Sequence, residues 1–410
     1  MKKIKKLFVV LAAGMALMLP VQAMAAVDLN AKYEISTNQI QGWPAGPEII
    51  SDTGILMDAD TGVVLYNKGA DEQRYPASIT KIMTLLVAVE NSTMDEQVTF
   101  TETGVRNVNA DSSNIGTQVG EILSMKDCLY ALIIQSANDV AAQIAEHIGG
   151  TEQAFIDMMN QRAQEIGCTN THFANSSGLP DDNQHTTAHD MALIMQAAIQ
   201  NESFRTIAAA TSYTIPATNK AAARNLTSKF TMTDTGSTGF YEGCIGGKEG
   251  YTEASGSTLV CAAQRNGMTL ISVVLKGASG QTAPDAASIL NYGFDQFVTL
   301  SLGDSDFSII SGGDVVVPAG TGADSLTTED SQNGDQIDRT YLFNGTSVGS
   351  AVLEVVQSDD TASVQEGQQH MQAAKDYSDN HTEIPYFVIA GVFLLLLILL
   401  IWRIVKIVKS

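Results

Sequence analysis

The sequence predicts an α/β chain: an antiparallel sheet with a helical subdomain, followed by a small β-rich domain and a C-terminal transmembrane helix. Three observations carry this expectation. Strand-like runs stand at both ends of a long helical segment, a second strand-bearing stretch rich in Gly, Ser, Thr and Asp follows, and the run Tyr386–Trp402 is unbroken and apolar. Hairpins separated in sequence by helices assemble into one sheet with the helices packed against it. The roughly 360 residues between the chain's apolar ends exceed one ordinary core, which predicts two domains.

Residues 1–25 read as a secretory signal peptide: Lys2, Lys3, Lys5 and Lys6 open it, an apolar run extends from Leu7 to Leu19, and Ala23-Met24-Ala25 forms a small-residue exit. Thr53 to Met57 and Val63 to Tyr66 enclose Asp60-Thr61-Gly62, the turn signal of a hairpin. Behind Tyr75-Pro76-Ala77, apolar residues recur at helical spacing from Ser78 to Val89. Further helical patterns cover Lys126–Ile134, Asp139–His147, Glu152–Ile166 and Ala188–Ile199. From Cys244 the pattern turns to strands, Cys244–Glu249, Ser257–Ala263 and Met268–Leu275, and then to a helix over Thr282–Phe297. These elements delimit a first domain at 36–300. Val315–Val317, Thr340–Phe343 and Val352–Val356 make 306–357 a small β-rich domain, and 364–384 is a polar tether.

The segment 386–402 rises about 25 Å as a helix, enough to span a bilayer, and no polar face marks it as lying on a surface. Arg403, Lys406 and Lys409 place its far end in the cytoplasm. A signal peptide and a stop-transfer helix together predict a single-pass protein of the cell membrane whose folded domains are extracytoplasmic.

Of the 23 basic residues, four lie in the signal and three after the apolar run, leaving 16 between them against all 45 acids, a net of −29. Such a surface excludes nucleic acid as a partner. The cysteines Cys128, Cys168, Cys244 and Cys261 allow disulfides in a non-cytosolic compartment, and Cys244 and Cys261, flanking the hairpin expected at Tyr251–Ser255, are the best-placed pair; free buried thiols are the alternative. No C-x-x-C is present, and no metal or cofactor is expected. His185 and His189 are four apart, but Thr186-Thr187 reads as a helix start that leaves His185 outside the helix, which disfavours a metal pair. Asp181 and Asp190 read as loop braces rather than acids.

Three short motifs stand in order: Ser78-Ile79-Thr80-Lys81, Ser136-Ala137-Asn138 and Lys248-Glu249-Gly250. In a helix the first sets a hydroxyl and an amine three residues apart on one face, and a helix start at Ser78 favours developing negative charge there. A serine hydroxyl needs a base, and Lys81 serves if it is held neutral by burial or by a neighbouring cation such as Lys248. Ser136 is then placed to relay a proton, Asn138 to orient a peptide, and the backbone N–H groups of Ser78 and Tyr251 to form an oxyanion hole. This is acyl transfer without a metal.

That order resembles the penicillin-recognising serine transferases, whose S-x-x-K, S-x-N and K-T-G motifs line one cleft. The wider wording is similar to that of the low-molecular-mass penicillin-binding proteins of the serine-type D-alanyl-D-alanine carboxypeptidase family: Tyr75 to Lys81, Ser177-Gly178-Leu179-Pro180-Asp181, and Gly250-Tyr251-Thr252 before Leu259-Val260. The resemblance covers about 36–300. It implies trimming of the terminal D-alanine from peptidoglycan stem peptides through an acyl-enzyme on Ser78, and inhibition by β-lactams. Ser78, Lys81 and Ser136 would be catalytic, and Asn138, Lys248, Glu249, Gly250, Tyr251 and Thr252 would bind substrate. A secreted β-lactamase fits less well, because an anchor and a β module suit a polymer substrate near the membrane.

One residue departs from the family pattern, which has Thr or Ser where this chain has Glu249. A carboxylate about 6 Å from the substrate's own would repel it by roughly 3 kcal/mol at an effective dielectric of 20. Either the pleat turns Glu249 away and leaves Lys248 and Thr252 to meet the substrate, or the substrate differs, or the domain is a weakly active or non-catalytic wall-binding relative. Retention of all the other motif residues favours activity.

Overall fold

The fold was analysed in a computed structural model, in which residues 33–108, 112–303 and 307–355 are described. The expected signal peptide at 1–25, tether at 364–384 and anchor at 386–402 lie outside the described residues. Among the described residues no helix is long and apolar enough to cross a membrane.

The main sheet joins both ends of the first domain. Its strands β1 (Thr53–Asp58) and β2 (Val64–Lys68) form the expected N-terminal hairpin. Between them and the rest of the sheet come α1 (Lys81–Asn91), β3 (Gln97–Thr99), α2 (Glu102–Val105), β4 (Ile122–Ser124), α3 (Met125–Ile134), α4 (Asn138–Gly149), α5 (Glu152–Ile166), α6 (Ala188–Ala198), α7 (Glu202–Ala208), β5 (Ser212–Ile215) and β6 (Arg224–Thr227). Strands β7 (Cys244–Thr252), β8 (Gly256–Arg265) and β9 (Met268–Gly277) complete it in the order β2-β1-β9-β8-β7, antiparallel throughout. β1 is buried along its whole length, so its run of apolar residues carries no alternation.

The two faces of the sheet are read from their side chains. Ile55, Met57, Val260, Ala262, Ile271, Val273 and Leu275 join one cluster with the apolar residues of α1, α3, α4 and α6. Leu56 and Leu270 point the other way, against Gly293 of α8 (Thr282–Gln296), where a Cβ would come within 2.6 Å of both. The period of two along each strand thus places the helical subdomain on one face and α8 on the other. Helix starts are chemically marked: Ser124 and Asp127 form a capping box on α3, Thr151 caps α5 and Thr187 caps α6.

The second sheet, β10 (Phe297–Ser301), β11 (Phe307–Pro318), β12 (Thr327–Asn333), β13 (Gln336–Phe343) and β14 (Thr346–Val355), has the order β10-β11-β14-β13-β12. It begins at Phe297, inside the expected first domain, because β10 pairs with β11 from Phe297↔Pro318 to Ser301↔Asp314. Trp43 joins the two sheets: it lies 5.0 Å from the ring of Phe297 and 6.2 Å from that of Phe343, and its indole donates to Leu65 O at 2.9 Å. Residues 33–303 and 309–353 belong to one compact unit; of the second, only 307–308 and 354–355, strand ends, are described.

All four cysteines are free. Cys244 and Cys261 do sit on paired strands, but Cys244 faces Ala263 and Cys261 faces Gly247, so they are not cross-strand partners. The favoured disulfide is therefore not formed, and Cys128, Cys168 and Cys261 are buried core thiols.

Candidate active site

The three motifs arrive from three elements. Ser78 lies not in the α-helix but in the single 3-10 turn Ala77–Thr80 that enters it, and Lys81 opens α1. Ser136 sits in the corner between α3 and α4 with a φ of 55°, a left-handed conformation that a non-glycine residue adopts only under constraint, and Asn138 begins α4. Lys248, Glu249, Gly250, Tyr251 and Thr252 lie on β7, the edge strand beside the turn of Ser78.

Contact between β7 and that turn explains two glycines. A Cβ on Gly250 would fall 2.6 Å from Ser78 N and 2.8 Å from Thr258 Oγ1, so the strand reaches the serine only without a side chain there. Gly178, with a φ of 84°, presses the Ser177–Asp181 loop onto the other side, where a Cβ would fall 1.8 Å from Ala77 O. Thr258 Oγ1 donates to Pro76 O at 2.9 Å and holds β8 to the same turn.

Lys81 is fully buried. Its Nζ donates to Asn138 Oδ1 at 2.7 Å and to Ser177 O at 2.5 Å, and lies 3.2 Å from Ser78 Oγ. Burial drives its pKa well below the usual lysine range, the positive charge of Lys248 lowers it further, and Asp139 opposes. Lys248 is likewise buried and is lowered to about 8, by burial first, with Glu249 pulling it back up and Lys229 pushing it down. Its Nζ donates to the main-chain oxygen of Glu249 at 2.7 Å. The Oγ of Ser136 is buried and has no hydrogen-bond partner among the described residues. An orphaned hydroxyl on a strained backbone is costly to fold, which marks it as held ready for something else.

A supporting layer fixes the amide of Asn138. Its Nδ2 donates to Ser112 Oγ at 2.8 Å and its backbone N to Ser113 O at 2.8 Å, which leaves Oδ1 facing Lys81. Buried Asp139 accepts from Thr117 N at 3.2 Å and Thr117 Oγ1 at 3.0 Å, tying that segment to α4. Asn175 Oδ1 accepts from Ser177 N and Gly178 N and shapes the loop whose carbonyl holds Lys81.

A cleft of about 820 Å³ is lined by Ser78, Ser136, Lys229, Lys248, Glu249 and Tyr251 among others, with Tyr251 exposed beside it. Of the expected binding residues, Asn138 and Thr252 do not line it: the Asn138 amide, expected to orient a peptide, is taken up by Lys81 and Ser112, and the Thr252 hydroxyl donates to Ser255 Oγ at 2.8 Å in the β7–β8 turn. Glu249, named among the binding residues although the pleat left open that it turns away, lines the cleft, because at an edge strand both the buried and the half-buried side chains of consecutive residues border the same opening. His185 stacks on His172, while His189 Nδ1 pairs with Asp71 at 2.8 Å, so the two histidines face different partners. Asp190 accepts from Asn170 N and Thr171 Oγ1, and Asp181 from Asn183 N, as loop braces do. The Ser177 carbonyl, Ser112 and Lys229 were not read from sequence as parts of the site. Ser177 carried a signal in its Ser-Gly-Leu-Pro-Asp run, whereas Ser112 and Lys229 carried none.

The D-alanyl-D-alanine carboxypeptidase family matches over residues 40–279, more than half of the chain. This chain is a member of that family. Among similar D-alanyl-D-alanine carboxypeptidases, DacF of Bacillus subtilis is 34% identical over 255 residues, 60% of this chain, and the chain spans 63% of that relative's own length. One from Streptomyces is 33% identical over 258 residues, 60% of this chain and 88% of the relative. Penicillin binding protein 5 from Haemophilus influenzae shares the fold with a TM-score of 0.64 and 27% identity, covering 76% of this chain and 98% of that one. That coverage exceeds the length of the expected first domain, 36–300.

Proposed function

We propose that this chain is a serine-type D-alanyl-D-alanine carboxypeptidase that removes the terminal D-alanine of peptidoglycan stem peptides through an acyl-enzyme on Ser78. The observation that carries the reading is the dehydrated amine of Lys81 at 3.2 Å from Ser78 Oγ. A neutral lysine amine has two N–H groups and one lone pair. Asn138 Oδ1 and Ser177 O occupy the two donors, so the lone pair faces the Ser78 hydroxyl and takes its proton as Oγ attacks the carbonyl. The backbone N–H groups of Ser78 and Tyr251 receive the oxyanion, and the close approach of Gly250 to Ser78 is what brings these amides together. Ser136 Oγ, without another partner among the described residues, passes the proton to the leaving D-alanine. Water then resolves the acyl-enzyme with the same groups in reverse. β-Lactams acylate the same serine.

The basic and apolar opening at 1–25, read as a signal peptide, and the apolar run 386–402, read as a span, support a single-pass anchor with this chemistry outside the cell membrane and the β-rich domain and tether between. The test is labelling of the full-length protein with a fluorescent penicillin beside Ser78→Ala. One adduct per chain, lost in the variant, is expected; an adduct that persists in Ser78→Ala overturns the assignment. Absence of any adduct would favour a non-catalytic wall-binding role, for which Glu249 in the cleft is the observation.

A further inference from the structure

We infer that Glu249 meets the anionic end of a ligand as a neutral carboxylic acid, donating one hydrogen bond to the ligand's carboxylate where the family pattern has a hydroxyl. The inference rests on the acyl-transfer reading of the cleft.

Glu249 lines the same cleft as Ser78 and is half-buried there. Its carboxylate takes no hydrogen bond and no ion pair from the described residues; even adjacent Lys248 spends its amine on the Glu249 main-chain oxygen. An unpartnered, partly desolvated carboxyl in a cleft is available to a ligand. The sign of the ligand follows from the surroundings. The charged groups that act on Glu249 are Lys248 on its own strand and Lys229 from the β6–β7 connection, with Lys81 behind Lys248. The lining from the other elements, Ser78, Ser136, Thr258 and Thr282, is neutral. Two cations in the wall repel an ammonium and attract a carboxylate.

A carboxylate beside an ionised Glu249 would leave two negative oxygens in contact with no proton between them. Two carboxyl groups sharing a site resolve this by one of them holding a proton. A protonated Glu249 is then a one-donor group, as a threonine hydroxyl is, and the departure from Lys-Thr-Gly becomes a change in the condition of binding rather than its loss. Burial already favours the protonated form before any ligand arrives, although Lys248 and Lys229 oppose it. By linkage, a ligand that binds only the protonated form binds best below the pKa of the free carboxyl, and its apparent affinity falls about tenfold per pH unit above it.

The test is the second-order rate of acylation by benzylpenicillin from pH 5 to 8, with full-length wild type, Glu249→Gln and Glu249→Ala. Gln is neutral at every pH and keeps a donor; Ala is neutral without one. The acid limb set by Lys81 is shared by all three proteins; the alkaline limb set by Lys248 comes at lower pH in Gln and Ala, which lack the Glu249 charge that raises Lys248, and the Ala profile supplies that limb so that it is divided out of the Gln to wild-type ratio. The Gln to wild-type ratio is expected to be smallest at the acid end and to rise by about tenfold per pH unit once Glu249 ionises, with Ala slower than Gln throughout. A ratio independent of pH, or wild type faster than Gln at the alkaline end, overturns the inference alone if labelling still depends on Ser78. Labelling retained in Ser78→Ala overturns the underlying reading and this inference with it.

Discussion

At the scale of single residues, the site works by keeping one lysine dry and another charged. Lys81 must be neutral to accept the Ser78 proton, and burial, which drives its pKa well below the usual lysine range, favours that form. Lys248 must be cationic to attract a carboxylate and to hold Lys81 down, and its pKa is about 8. Activity is therefore expected to fall on the acid side as Lys81 gains a proton and on the alkaline side as pH passes about 8 and Lys248 loses its own; a pH profile of kcat/KM that stays level to pH 10 would contradict this. Ser136→Ala, which removes the orphaned hydroxyl, is expected to slow acylation by about 10²-fold to 10⁴-fold with little loss of stability, measured by stopped-flow labelling beside thermal unfolding. The Ser78–Lys81 pair was legible in the sequence because its spacing is local. The Ser177 carbonyl was not read as a part: its Ser-Gly-Leu-Pro-Asp run was visible, but residue types do not show that a main-chain oxygen 96 residues away turns to Lys81.

Elements decide whether those residues meet. Edge strand β7 and the loop around Gly178 converge on the turn Ala77–Thr80 that carries Ser78, and both approaches depend on a missing side chain. Gly250→Ala is expected to displace β7 from Ser78 and to abolish acylation in a protein that still folds, whereas Gly178→Ala, at a φ of 84° and against Ala77 O, is expected to cost roughly 2 kcal/mol or more of stability. Chemical denaturation separates the two; equal destabilisation of both would contradict the distinction. The long helices and the strands β7 to β9 were readable from apolar period and turn residues. β12 was not, because Thr327–Asn333 is exposed along its whole length and carries no buried face to pattern. Nor were β3 and β4, three residues each, too short for a period to register.

Across the whole molecule, the first sheet carries the site and the second is fastened to it around Trp43. Trp43→Ala removes ring contacts to Phe297 and Phe343 and the indole hydrogen bond to Leu65, and is expected to lower stability by about 3–5 kcal/mol while leaving the rate of penicillin labelling of the folded protein unchanged. The joining of distant hairpins was legible from pattern, but the start of the second sheet was not. Phe297 both follows α8 and opens β10, and sequence gives no sign of which role ends the first domain. The account as a whole rests on Ser78 cleaving a D-alanyl-D-alanine bond. The measurement that tests it most directly is release of free D-alanine from a synthetic stem pentapeptide by the full-length protein and by Ser78→Ala. Stoichiometric release of one D-alanine per peptide, reduced at least about 10³-fold in the variant, is the expected result; no release by the wild type, or equal release by both, would contradict it.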